Sequence, residues 1–240
     1  MKPFEKDEEE NMMSITNQAG LAGWNSTFAY IAIAAMAVSS LALLTLHFMS
    51  PEFSPSWRMV SEYANGQWRW LLTLVFFGCA IGSFVLAAAL WPVSTNIWGK
   101  IGLVFLVLGG IGQLMGGLFD INHKLHGPAA MIGIPSICIA AVLLTIALRR
   151  TPGIVAPPIW SAQLPWISVA LIAIGFMLFF SALKAAGVDM AGRTEPLKEL
   201  PDGVSSFVGW ANRLFFVANY LWVVMTSLAI IRASSYETGV

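Results

Sequence analysis

The 240-residue chain is 57% hydrophobic and only 11% charged, far below the roughly 25% charge of an ordinary soluble domain. Thirteen Lys+Arg balance thirteen Asp+Glu, so no basic surplus points to nucleic acid as a partner. Two cysteines exclude a disulfide framework.

Charge-free stretches fall at 11–51, 70–99, 101–119, 125–148, 151–183 and 214–231. One bilayer crossing takes roughly 20 apolar residues, so the pattern predicts an all-α fold, a transmembrane bundle of six helices. Residues 1–26, with Lys6-Asp7-Glu8-Glu9-Glu10, read as a solvated acidic N-terminal tail and interfacial segment. Residues 27–232 read as the six-helix transmembrane domain and 233–240 as a short C-terminal tail.

In chain order, helix one is expected over Thr27–Met49, about 34 Å at about 1.5 Å per residue, enough to cross the hydrocarbon. Helix two is expected over Trp68–Trp91 and helix three over Gly99–Phe119. Eleven Leu, Ile, Val or Phe residues between 101 and 119 favour insertion by roughly 3–7 kcal/mol, more than the single polar Gln113 costs. Helices four, five and six are expected over Ala129–Leu148, Trp166–Ala186 and Trp210–Ile231. Thr151–Pro165 holds Pro152, Pro157, Pro158 and Pro165 and reads as a connector. Trp24, Trp68, Trp70, Trp91, Trp98, Trp166 and Trp210 sit at expected span ends, as an aromatic belt does. Gly78 and Gly82, and Gly112 and Gly116, are small residues four apart that let helix backbones approach closely inside one bundle.

Positive charge does not orient the chain. Lys2, Lys6, Lys100, Arg149, Arg150 and Arg232 lie on the side of the N-terminus, and Arg58, Arg69, Lys124, Lys184, Arg193, Lys198 and Arg213 on the other. An even number of spans places both termini together. A tail without translocation signals is expected in the cytoplasm, which makes this a multi-pass protein of the plasma (inner) membrane.

The unusual polar residues gather on one face. The loops after helices one, three and five share it, and with them go His47, His123, His126, Glu52, Arg58, Glu62, Asp120 and the Asn212–Arg213 pair. The opposite loops, 92–98 and 149–165, hold no acid and no histidine. Asn212 and Asn219, seven apart, share a face of helix six that is expected to look into the bundle.

This constellation supports two readings. In one, Glu62, Asp120, His126, Asn212 and Arg213 bind a lipid or small amphiphile, with membrane lipids as partners and no cofactor. Arg213 is then the expected centre, its planar fork holding a carboxylate of Glu62 or Asp120. In the other, Asp120 and His126 are catalytic acid–base partners of a membrane-embedded hydrolase or transferase acting on a lipid-borne group. In a metal version, His47, Asp120, His123 and His126 supply ligand atoms suited to zinc. The residues alone leave open whether the protein is an enzyme.

The same residues carry a resemblance. Ser61-Glu62-Tyr63, Gly117-Leu118-Phe119-Asp120, His126-Gly127, and Asn212-Arg213-Leu214 with Leu221-Trp222 resemble the DUF998 family of membrane proteins over about 25–232. The resemblance implies a multi-span fold and membrane location rather than an activity.

Overall fold

Inside hydrocarbon every backbone amide must find its partner within the chain, and a single apolar segment does so only as a helix. The computed structural model describes the backbone of residues 3–188 and 197–237, and side chains over 25–188 and 197–235. It contains α1 (Pro3–Met49), α2 (Arg69–Leu90), α3 (Ile97–Leu118), α4 (His126–Leu148), α5 (Ile159–Ala185) and α6 (Val208–Glu237). All six are long and apolar enough to cross a membrane, α1 through Asn25–Met49. The described residues hold no strand. The protein is an integral, multi-pass, all-helical membrane protein.

Two boundaries differ from the sequence expectation in ways that matter. The α1 backbone runs back to Pro3, so the expected tail is helical. The side chains of its acidic run lie outside the described residues. The expected connector Thr151–Pro165 ends at Pro158, and Pro165 sits inside α5. Pro158 is extended, with φ −62° and ψ 142°, and fits a helix start. Pro165 forfeits one ladder bond, which membrane-spanning helices tolerate. This earlier start carries Trp166 away from the interface, and its indole donates to Cys138 O at 3.1 Å. Trp70, Trp91, Trp98 and Trp210 remain more than 45% exposed, as the belt requires.

Consecutive helices pack side by side, and α6 closes the ring against α1 while also touching α2 and α4. Two-thirds of its span (67%) is buried, against 22% for α5, so α6 is the inner helix. Trp222, fully buried, donates to Thr145 Oγ1 of α4 at 3.1 Å. Ser39 of α1 donates to Val75 O at 2.7 Å and meets Tyr220 Oη at 2.9 Å. Gln113 of α3 accepts from Ser83 of α2 at 2.8 Å. In lipid such bonds, with close packing, hold helices together.

The small-residue positions bring helices within one bundle into contact. A Cβ at Gly78 would lie 2.8 Å from Ala35 O of α1. On α3, Gly102 and Gly109 pack against Leu144 and Ile137 of α4. At Gly112 a Cβ would run into the backbone of Gly133 and approach Ala129 O to 2.8 Å. The α3–α4 backbones therefore meet with no room for a methyl group. Gly112→Ala should lower stability by at least about 2 kcal/mol, the range of overpacking, because the obstacle is backbone. Gly127, with nothing within 4 Å of its Cβ position, should accept alanine within about 0.5 kcal/mol, as an open site does. Thermal denaturation in detergent compares the two, and equal effects would contradict this packing.

Candidate functional site

The loop between α1 and α2 folds over the end of α6 as a cap. Its Val60–Asn65 stretch is a short 3-10 helix whose Val60 and Tyr63 side chains are fully buried. The cap docks because Gly209, the second residue of α6, has no side chain. A Cβ at Gly209 would collide with Pro55 O and lie 2.6 Å from Arg58 O. Gly209 N instead donates to Ser56 O at 2.9 Å. One turn on, Asn212 Oδ1 accepts from Val60 N at 2.9 Å.

Arg213 completes the docking. It is 5% exposed, and its Nε donates to His47 Nε2 at 2.7 Å. Nη1 donates to Arg58 O at 2.7 Å and Gly209 O at 3.0 Å, with a longer contact to Pro55 O at 3.4 Å. Nη2 donates to Tyr63 Oη at 3.1 Å, and the guanidinium lies 5.6 Å from the Tyr63 ring centroid. His47 Nδ1 lies 2.6 Å from Leu43 O. A carbonyl only accepts, so Nδ1 carries the proton and Nε2 is the acceptor for Arg213.

The expectation that Arg213 holds a carboxylate is corrected here. Glu62 pairs with Arg58 instead, at 2.6 Å, and its other oxygen accepts from Met59 N at 2.8 Å. Arg58 stacks over Trp57 at 4.1 Å and donates to Lys198 O at 3.2 Å, reaching the α5–α6 loop. Asn122 Nδ2 donates to Asn65 Oδ1 at 2.8 Å, which ties the α3–α4 loop to the cap. The three loops of this face thus interlock. The charge of Arg213 is met by dispersed neutral acceptors.

Asp120 and His126 form a second group. Asp120 is exposed, and its Oδ1 accepts from Asn122 N at 2.9 Å. His126, half-buried at the start of α4, approaches Phe119 O with Nδ1 at 2.9 Å. Both line a cleft of about 280 Å³ together with Arg69, Trp70, Thr73 and Phe76. The sequence had not singled out Arg69 or Phe76, which arrive from α2.

His126 also lines a half-open cavity of about 130 Å³ bordered by α2, α3, α4 and α6. Its walls are largely apolar, among them Phe76, Ile134, Ile137, Phe215 and Phe216. Asn212 and Asn219 both line it, as their shared helix face predicts. Asn219 is 1% exposed, and its Oδ1 finds no partner among the described residues. The cleft and the cavity share Phe76, Gly116 and His126 as walls.

The four metal candidates are not assembled. Arg213 occupies His47 Nε2, and His123 stacks on Phe119 at 4.7 Å with Nδ1 accepting from Leu125 N. Among the described residues no three His, Cys, Asp or Glu side chains come together in a metal-holding group. Asp120 and His126 share the cleft, but no hydrogen bond between them is formed among the described residues.

Comparison with protein families decides the relationship. A family model described as "Protein of unknown function (DUF998)" matches residues 33–229. The chain belongs to the DUF998 family. Comparison with curated proteins and with solved structures gave no match. Of the residues that carry the sequence resemblance, Tyr63 and Arg213 lie in the cap network and Asp120 and His126 in the cleft.

Arg213→Lys keeps the charge but cannot reach these acceptors with one compact ammonium. Stranding buried acceptors costs about 1–3 kcal/mol, so the variant should unfold at clearly lower temperature. Glu62→Gln keeps the side chain's shape and an oxygen that can still accept from Arg58 or Met59 N, so it should lower the melting temperature less than Arg213→Lys. Melting curves in detergent test this ranking, and a Glu62 variant as damaged as the Arg213 variant would refute it.

Proposed function

We propose that this DUF998 protein binds an amphiphile, with the polar group in the cleft at Asp120, His126 and Arg69 and an apolar segment in the adjoining cavity. The observation that carries the reading is the shared wall: the polar cleft and the apolar cavity meet at Phe76, Gly116 and His126. Ligand sites are mostly apolar hollows with a few placed polar groups, and this pair has that composition. Size bounds the occupant. The cavity's roughly 130 Å³ is close to the roughly 150 Å³ that accommodates benzene. It takes a short stretch of one acyl chain, and the remainder lies against the lipid-facing surface. In this reading Glu62 and Arg213 act through the cap and do not themselves hold the ligand, while Asn212 lines the cavity.

Filling the cavity tests the reading. Ala130 lines it, and Ala130→Phe should displace the bound lipid while leaving the Arg213 network intact. Lipid extracted from detergent-purified protein and counted by mass spectrometry should fall at least about fivefold, the effect of about 1 kcal/mol, with an unchanged melting temperature. A wild type that retains no lipid, or a variant that retains as much, would refute the reading.

We place both termini in the cytoplasm of the plasma (inner) membrane, which turns the cleft toward the opposite side. Fusions in the loops at Ser94 and Pro157 should make a cytoplasm-active fluorescent reporter glow. Those at Gly66 and Asn122 should activate an exported phosphatase. The reverse pattern would invert the orientation.

A further inference from the structure

The charges in the cleft specify a headgroup. Arg69 and Asp120 are both exposed and line the same hollow of about 280 Å³. They form no ion pair with each other, and the ion pair formed among the described residues is Arg58–Glu62, at 2.6 Å. One cation and one anion are thus held apart in a single cleft, each open to an outside partner. Arg69 is the first residue of α2, beside Trp70, which is 54% exposed. Asp120 follows the end of α3. Tryptophan beside a span end marks the level of the lipid headgroups, so the two charges stand where headgroup charges stand.

We propose that this cleft recognises the phosphate–ammonium zwitterion of a phospholipid whose headgroup ends in a primary amine. The inference rests on the amphiphile reading of the same site and narrows it to a headgroup class. Arg69 offers the planar fork that pairs with phosphate oxygens. Asp120 has committed Oδ1 to Asn122 N, which leaves its second oxygen. A carboxylate only accepts hydrogen bonds, so its partner must be a donor. A primary ammonium carries three N–H donors and a trimethylammonium carries none. His126 also lines the cleft, with its Nδ1 donating to Phe119 O. A glycerol headgroup would satisfy Arg69 and offer Asp120 hydroxyl donors, but it brings no cation to offset the carboxylate. Room is ample, since one water needs only roughly 10–15 Å³ of such space.

The test uses full-length protein in detergent and native mass spectrometry with three dioleoyl phospholipids bearing ethanolamine, choline or glycerol headgroups. The wild type should hold the ethanolamine lipid about fivefold more tightly than the other two, as one partly exposed charge pair contributes. Asp120→Asn should erase that preference, weakening the ethanolamine lipid more than the choline lipid. Arg69→Gln should weaken all three. Both side chains are exposed, so both variants keep the wild-type melting temperature. The ethanolamine–choline comparison on wild type needs no variant at all. If the wild type holds all three equally, and Ala130→Phe still expels them, the headgroup inference is overturned and the amphiphile reading stands. If no lipid is held, both are overturned.

Discussion

A buried guanidinium with no acid beside it among the described residues governs this face of the protein. Leaving a charged group in a dry environment without partners costs several kcal/mol, and Arg213 is 5% exposed. The chain meets the cost with acceptors from three directions: His47 from α1, the Arg58 and Gly209 carbonyls, and the Tyr63 hydroxyl. Because the Arg58 carbonyl and the Tyr63 hydroxyl belong to the cap, satisfying the charge and docking the cap are coupled. Met59 and Ser61, which line the cavity together with Asn212 of α6, take their places from it. Arginine suits this role better than lysine because its five donors point in fixed directions.

The cavity exists because of an asymmetry in packing. Glycines on α3 let its backbone close onto α4, while α2 and α6 present Phe76, Phe215 and Phe216. Rings of that size hold neighbouring helices apart, and a hollow remains between α2, α3, α4 and α6. Gly116 is placed against Phe76, so one ring bounds both the hollow and the cleft beside it. The lopsided polarity of the sequence has the same origin: loops of one face carry the charged and histidine residues because they build a cap and a cleft. The opposite loops need only turn.

Much of the fold was legible in the sequence. Six charge-free stretches correspond to six spanning helices, since hydrocarbon accepts little else, and the glycine pairs correspond to close helix contacts. The polar face and the inward-looking Asn212 and Asn219 were also readable, the first from loop parity and the second from spacing. The partners of the charges were not. Arg213 was expected beside an acid, but pairing depends on backbone carbonyls of the cap, and carbonyls carry no sequence signal. Arg58 and Glu62, four apart, offered a local alternative that the sequence shows only if the 58–62 segment is known to turn. Proline density hid the start of α5, because a proline tolerated within a spanning helix and one that breaks a loop look alike in sequence. Arg69 was seen as a count of charge, and its place beside Asp120 depends on the α2–α3 packing.

Amide hydrogen exchange of the cap tests the central claim most directly. In the folded protein Arg58 N donates to Ser54 O, Val60 N to Asn212 Oδ1 and Gly209 N to Ser56 O. If Arg213 holds the cap on α6, these amides are protected in wild type. In Arg213→Leu they exchange at least about a hundredfold faster, the effect of about 2.7 kcal/mol, while amides in the middle of α3 and α4 keep their protection. Cap amides that exchange freely in wild type, or that stay equally protected without Arg213, would contradict the account.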